Sequence, residues 1–154
     1  MRNIILSTLC AGLVTVVGCS SHQRKTAVWT QDRASQQMIN ELKNGVAIYF
    51  DKNSSQIEPK YHMHLAAAAK GLAQNKNLIL ELEGHTDSTG SVAANKRVSL
   101  ERANAVRNKL VMEYHVAPSQ IVTLGAGSLK PIDSNNTAEG RANNRRVTAT
   151  LKIR

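Results

Sequence analysis

Residues 83–107 read EGHTDSTGSVAANKRVSLERANAVR, and in this stretch a strand, a polar turn and a long helix meet. Leu78, Ile79, Leu80 and Leu82, just upstream, make a strand-length apolar run, and Gly84, Ser88, Thr89 and Gly90 are residues that end one. Ser91 starts the helix. On that helix Asn95, Ser99 and Arg102 lie four and three residues apart, so they share one face, and the line continues into Val106 and Leu110. A chain passing from strand to helix presents unpaired N–H groups and the positive end of a dipole, which favour acidic side chains and ligand oxygens. Asp87 sits at that junction. Arg102 stands where the polar line runs into the apolar one, so it is partly desolvated and needs an acceptor, for which Asp87 is the nearest acidic candidate. Spacing alone leaves two readings open, a structural ion pair and a ligand site.

Working outward, Val46 to Phe50 form a first strand opened by Gly45, and Asp51 to Gln56 a polar loop. Pro59 suits the first turn of a helix running to about Asn75, with Tyr61, Leu65, Ala68 or Ala69, and Leu72 on its buried side. Downstream, the long helix is expected to end near His115 to Pro118. Gln120 to Leu124 make a third strand, and residues 125–138 an exposed loop. Gly140 to Arg146 read as a basic turn feeding a last strand, Val147 to Ile153, whose alternation shows one apolar face. The order β-α-β-α-β-loop-β predicts an α+β fold, an α/β sandwich in which a mixed sheet is covered by helices on one face.

The string G-H-T-D at 84–87, then Gly90, Ser91, Asn95, Ser99, Arg102 and Ala103, and finally G-R-A-N-N-R-R-V at 140–147, resembles the OmpA-like peptidoglycan-binding domain over roughly residues 44–154. Two positions depart from that pattern: Ala126 stands where an aromatic is common between Gly125 and Gly127, and Val98 where leucine is usual. Neither removes a charged group.

The N-terminus supplies an address. Met1, Arg2 and Asn3 make a basic start, residues 4–17 an apolar segment too short to span a membrane stably, and Gly18 precedes Cys19, as in a bacterial secretory signal. Val16-Val17-Gly18-Cys19 resembles a lipobox, which implies cleavage before Cys19 and acylation of its thiol. Ser20 and Ser21 after the cysteine imply sorting to the outer membrane. The expected organisation is a signal peptide at 1–18, a lipid-anchored tether at 19–44 ending in a short helix around Met38, Ile39 and Leu42, and the domain at 45–154. A formal charge of +9 fits nucleic acid, an anionic envelope surface or no particular partner, and export removes the first. The aromatic share of 3% leaves a core of Ala, Val, Ile and Leu. With Cys10 inside the removed segment, no disulfide forms within the mature chain.

A catalytic reading is weak. No serine sits in a nucleophile elbow, and Glu83 and Asp87 flank a turn with no further acid nearby. His85 reads as a turn residue bonded to its own backbone. His62 and His64 point to different sides of their helix, with no ligand set for a metal. The expectation is a protein that is not an enzyme and needs no cofactor or metal. Aspartate and arginine instead suit a small zwitterion, the carboxylate taking an ammonium and the guanidinium fork a carboxylate. The resemblance implies that this zwitterion is the diaminopimelate residue of a peptidoglycan stem peptide, held by Asp87 and Arg102 with Asn95, Arg145 and, through its backbone, Thr86. It implies peptidoglycan and the outer membrane as partners; the alternative is an envelope protein of the Tol-system type, whose main role is binding other proteins.

Overall fold

The computed structural model describes Arg33 and residues 36–154. Cys19, the signal segment and most of the tether lie outside the described residues. Residues 36–44 form helix α1, followed by β1 (Val46–Tyr49), a 3-10 turn at Pro59–Tyr61, α2 (His62–Gln74), β2 (Leu78–His85), α3 (Val92–Met112), a 3-10 turn at Pro118–Gln120, β3 (Ile121–Gly127), α4 (Ala138–Asn144) and β4 (Arg146–Ile153). The four strands form one mixed sheet in the order β1-β4-β2-β3. β4 lies between β1 and β2 and is antiparallel to both, while β2 and β3 run parallel. The parallel pair needs a crossover, and α3 supplies it.

Alternation sorts the two faces of the sheet. Leu80 and Leu82 of β2 with Val147, Ala149 and Leu151 of β4 point to the helices and are buried, meeting Leu65 and Leu72 of α2 and Val106 and Leu110 of α3. Glu81 and Glu83 point to the open face, where they pair with Lys152 at 2.7 Å and Lys130 at 2.5 Å. The fold is the expected α+β sandwich. The helix expected at the end of the tether is packed into the core rather than standing off it, since Ile39 and Leu42 are buried there.

Three local expectations are corrected. The long helix stops at Met112, with Glu113 as its C-cap, a few residues before the expected end near His115 to Pro118. The stretch read as a basic turn is helix α4. Its cap explains it: the Thr137 hydroxyl accepts the Gly140 N–H at 3.0 Å, and Glu139 lies in the first turn. Gly140 is required there for room, because a Cβ would lie 2.0 Å from the Ser134 carbonyl oxygen. Gly84 is likewise not a turn residue but part of β2. A Cβ on it would come within 1.9 Å of the Ser99 carbonyl oxygen, so α3 lies directly on the strand there.

Candidate functional site

The carboxyl end of β2, the start of α3 and the segment between α4 and β4 converge on one place. The Thr86 N–H donates to the Gly127 carbonyl at 2.9 Å, carrying the β2–β3 pairing one residue beyond the strand. Asp87 Oδ1 accepts the Thr89 N–H at 2.9 Å, and the Ser91 hydroxyl accepts the Ala94 N–H at 3.2 Å. The first bond closes an Asx turn and the second caps α3, so the junction is shaped by its own polar side chains. Asn135 Oδ1 accepts the Ser88 N–H at 3.1 Å and ties this turn to the loop before α4.

Arg102 is 2% exposed, and its partners are not the expected ones. Nε donates to the Ser54 carbonyl at 3.0 Å, Nη1 to that of His85 at 3.3 Å and Nη2 to that of Asp51 at 3.1 Å, with the guanidinium carbon 5.4 Å from the centre of the Phe50 ring. Asp87 pairs instead with Arg145, Nη1 to Oδ2 at 3.0 Å, while Arg145 Nε donates to the Phe50 carbonyl at 3.3 Å. Sequence spacing points to Asp87, the acidic residue at the turn before α3. It could not see carbonyls of the β1–α2 loop, about fifty residues upstream, which folding brings against the helix.

Asp87, Arg102, Arg145, Asn95 and Thr86, the five candidates from the sequence, all line one cavity of about 450 Å³. The loop residues Lys52 to Ser55 form its other wall; the sequence marked this stretch only as polar, although Asn53 takes a left-handed backbone at φ 57°. Thr86 does not offer its N–H, which Gly127 takes. Its hydroxyl is buried without a hydrogen-bond partner.

The electrostatics follow from this arrangement. Burial opposes ionisation of Asp87, but the Thr89 N–H and the Arg145 guanidinium outweigh it and hold the carboxyl below its ordinary value. Burial first, and then the charge of Arg145, depress the pKa of Arg102, with Asp87 acting in the other direction. The centre of the cavity thus holds two guanidiniums and one ionised carboxylate. It carries a net positive charge, and both arginines line it.

His85 is not a turn residue bonded to its backbone. It is the last residue of β2, 1% exposed, with neither ring nitrogen hydrogen-bonded. Burial and then the Arg146 charge lower its pKa to about 4 against the pull of Glu83, whose carboxylate lies at 3.8 Å. No group of three or more His, Cys, Asp or Glu placed to hold a metal occurs among the described residues.

The OmpA family model matches residues 49–145. Outer membrane protein Omp38 of Acinetobacter baumannii is 42% identical over 116 residues, 75% of this chain and 33% of that protein. This chain therefore spans about a third of that relative. The peptidoglycan-associated lipoprotein of Buchnera aphidicola is 37% identical over 109 residues, 70% of this chain and 62% of that one. Among solved structures, the peptidoglycan-associated lipoprotein from Burkholderia pseudomallei superposes with a TM-score of 0.66 at 26% identity, covering 69% of this chain and 89% of that one. The matched residues take in β2, α3 and α4 with every charged group of the cavity, and the chain belongs to the OmpA family.

Proposed function

We propose that this protein is a non-catalytic lipoprotein that ties the outer membrane to the cell wall, its domain holding the diaminopimelate residue of peptidoglycan stem peptides without a covalent bond. The observation that carries the reading is the charge of the cavity: two guanidiniums around one carboxylate leave an unmatched positive charge for a ligand carboxylate, beside an acidic group for an ammonium. The free end of diaminopimelate carries both. Arg145 is the main donor to the ligand carboxylate, because Arg102 already gives one N–H from each nitrogen to a carbonyl. Arg102 contributes its charge and the N–H groups left over. Asp87 takes the ammonium on the lone pairs that Thr89 and Arg145 leave. Family membership and relatives named peptidoglycan-associated lipoprotein support the same reading.

Acyl chains on Cys19 hold the other end, at about 0.8 kcal/mol per buried methylene. The hold on any one stem peptide then need not be tight, because many chains act at once. Lysine lacks the terminal carboxylate, and a site built around a charged contact rejects an analogue without it by about 2 to 4 kcal/mol, roughly 30- to 1,000-fold in affinity. The expected outcome of a pull-down is retention on diaminopimelate-type sacculi, little on lysine-type sacculi, and none for Asp87→Ala in folded form. Equal retention on both walls overturns the reading.

A further inference from the structure

A second cavity of about 570 Å³ lies next to the first, between α3 and the residues that lead into α2. The two share Ser55. They also share one side of α3: Ala94, Val98 and Glu101 line the first, and Ala105, Asn108 and Met112 the second. These six positions are spaced 4, 3, 4, 3 and 4, a single stripe along the helix. The opposite wall advances in step, Lys52 to Ser55 beside the first cavity and Ser55 to Ile57 beside the second. The two cavities thus lie end to end along α3, and their lining residues from Ala94 to Met112 span about 27 Å, the rise of eighteen steps.

The two cavities differ in chemistry. The first is charged at its centre. In the second, Lys109 and Glu113 neutralise one another at 2.8 Å, and the rest of the lining includes the amides of Gln56 and Asn108, the hydroxyl of Ser55, the imidazole of His62 and the apolar Ile57 and Met112. Amides and a hydroxyl beside apolar groups suit an uncharged chain of peptide amides and acetamido sugar. A length of about 27 Å equals about eight extended residues at 3.3 Å each, far more than one amino acid needs.

We infer that the second cavity binds the sugar and alanyl part of the same peptidoglycan strand whose diaminopimelate end enters the first, beyond the intervening γ-glutamyl residue and its free carboxylate. This rests on the reading of the Asp87 cavity given above and extends it from one amino acid to a linear segment. Nothing in the second cavity discriminates between diaminopimelate and lysine. It adds affinity and fixes the direction in which the strand leaves the site.

The test is calorimetric titration of the purified full-length protein with free diaminopimelic acid and with the disaccharide-tripeptide muropeptide that contains it. The muropeptide is expected to bind at least tenfold more tightly than the free amino acid. Asn108→Trp, which fills the second cavity from an exposed helix position, is expected to remove most of that difference and leave diaminopimelic acid binding unchanged. The milder Gln56→Ala/Asn108→Ala pair, which removes only the amides, is expected to lower muropeptide affinity about threefold to tenfold. Equal affinity for the two ligands, or muropeptide binding unaltered in Asn108→Trp and in the double variant, overturns the inference and leaves the Asp87 site standing. Binding of both ligands unaltered by Asp87→Ala overturns the reading of the first cavity, and the inference with it.

Discussion

Arg102 carries two duties in one side chain, and they separate by substitution. Its three bonds to backbone carbonyls join α3 to the end of β2 and to the β1–α2 loop, so Arg102→Ala strands buried acceptors and is expected to cost about 3 to 5 kcal/mol in urea denaturation. Asp87→Asn keeps the Asx turn and is expected to cost about 1 kcal/mol, which makes it the cleaner probe of binding. His85 sets the acid limit. Its pKa in the folded protein, about 4, lies below the ordinary value near 6.5, so the unfolded chain takes up the proton first as pH falls. Stability is therefore full above about pH 6.5 and declines as the pH falls towards 4. The lowered carboxylates of Asp87 and Glu83 add a further loss at lower pH. Thermal melts from pH 7 to 3.5 check this, and His85→Leu is expected to flatten the upper part of the profile. The five cavity residues were legible because G-H-T-D, Asn95, Arg102 and Arg145 keep a recognisable order and spacing. Who pairs with whom was not, since Arg145 reaches Asp87 from 58 residues away and the acceptors of Arg102 are carbonyls, which leave no mark in a sequence.

The elements themselves were more legible than their ends. Period-2 alternation gave β4, a strand-length apolar run gave most of β2, and the line Asn95, Ser99, Arg102, Val106, Leu110 gave the buried face of α3, on which all five are buried. What escaped is what depends on close approach. Gly84 and Gly140 look like turn glycines in a string of letters, yet each stands where another backbone passes too near for a methyl group. Gly84→Ala is expected to push α3 off β2 and cost about 2 to 3 kcal/mol by chemical denaturation. It should also weaken wall binding, because Arg102 and Asn95 ride on the same helix. Helix α4 was hidden for another reason. Its seven residues are too few to show a period, and only the Thr137 cap announces it.

At the scale of the whole molecule, a reading as a tethered anchor makes Cys19 decisive. Cys19→Ser is expected to release the protein from membranes or leave it as an uncleaved precursor, as membrane fractionation after digestion of the sacculi would register. Retention in the outer membrane at the wild-type level would refute the lipid anchor. Such a tether also gives the sheet order a mechanical meaning. The chain enters at Gly45, where the paired run of β1 begins with Val46 against Ala149, and the Asp87 cavity lies at the far end, beyond the pair of Tyr49 with Arg146. In that reading, tension between membrane and wall would be directed along the strands. After α1 gives way, β1 is drawn one way while β4 and β2, which end beside the bound wall, are held the other way. All the rungs between β1 and β4 then bear the load together in shear, rather than one after another as in an unzipping hairpin. The four-residue edge strand β1 is then the element that carries the load in a domain pulled from that end.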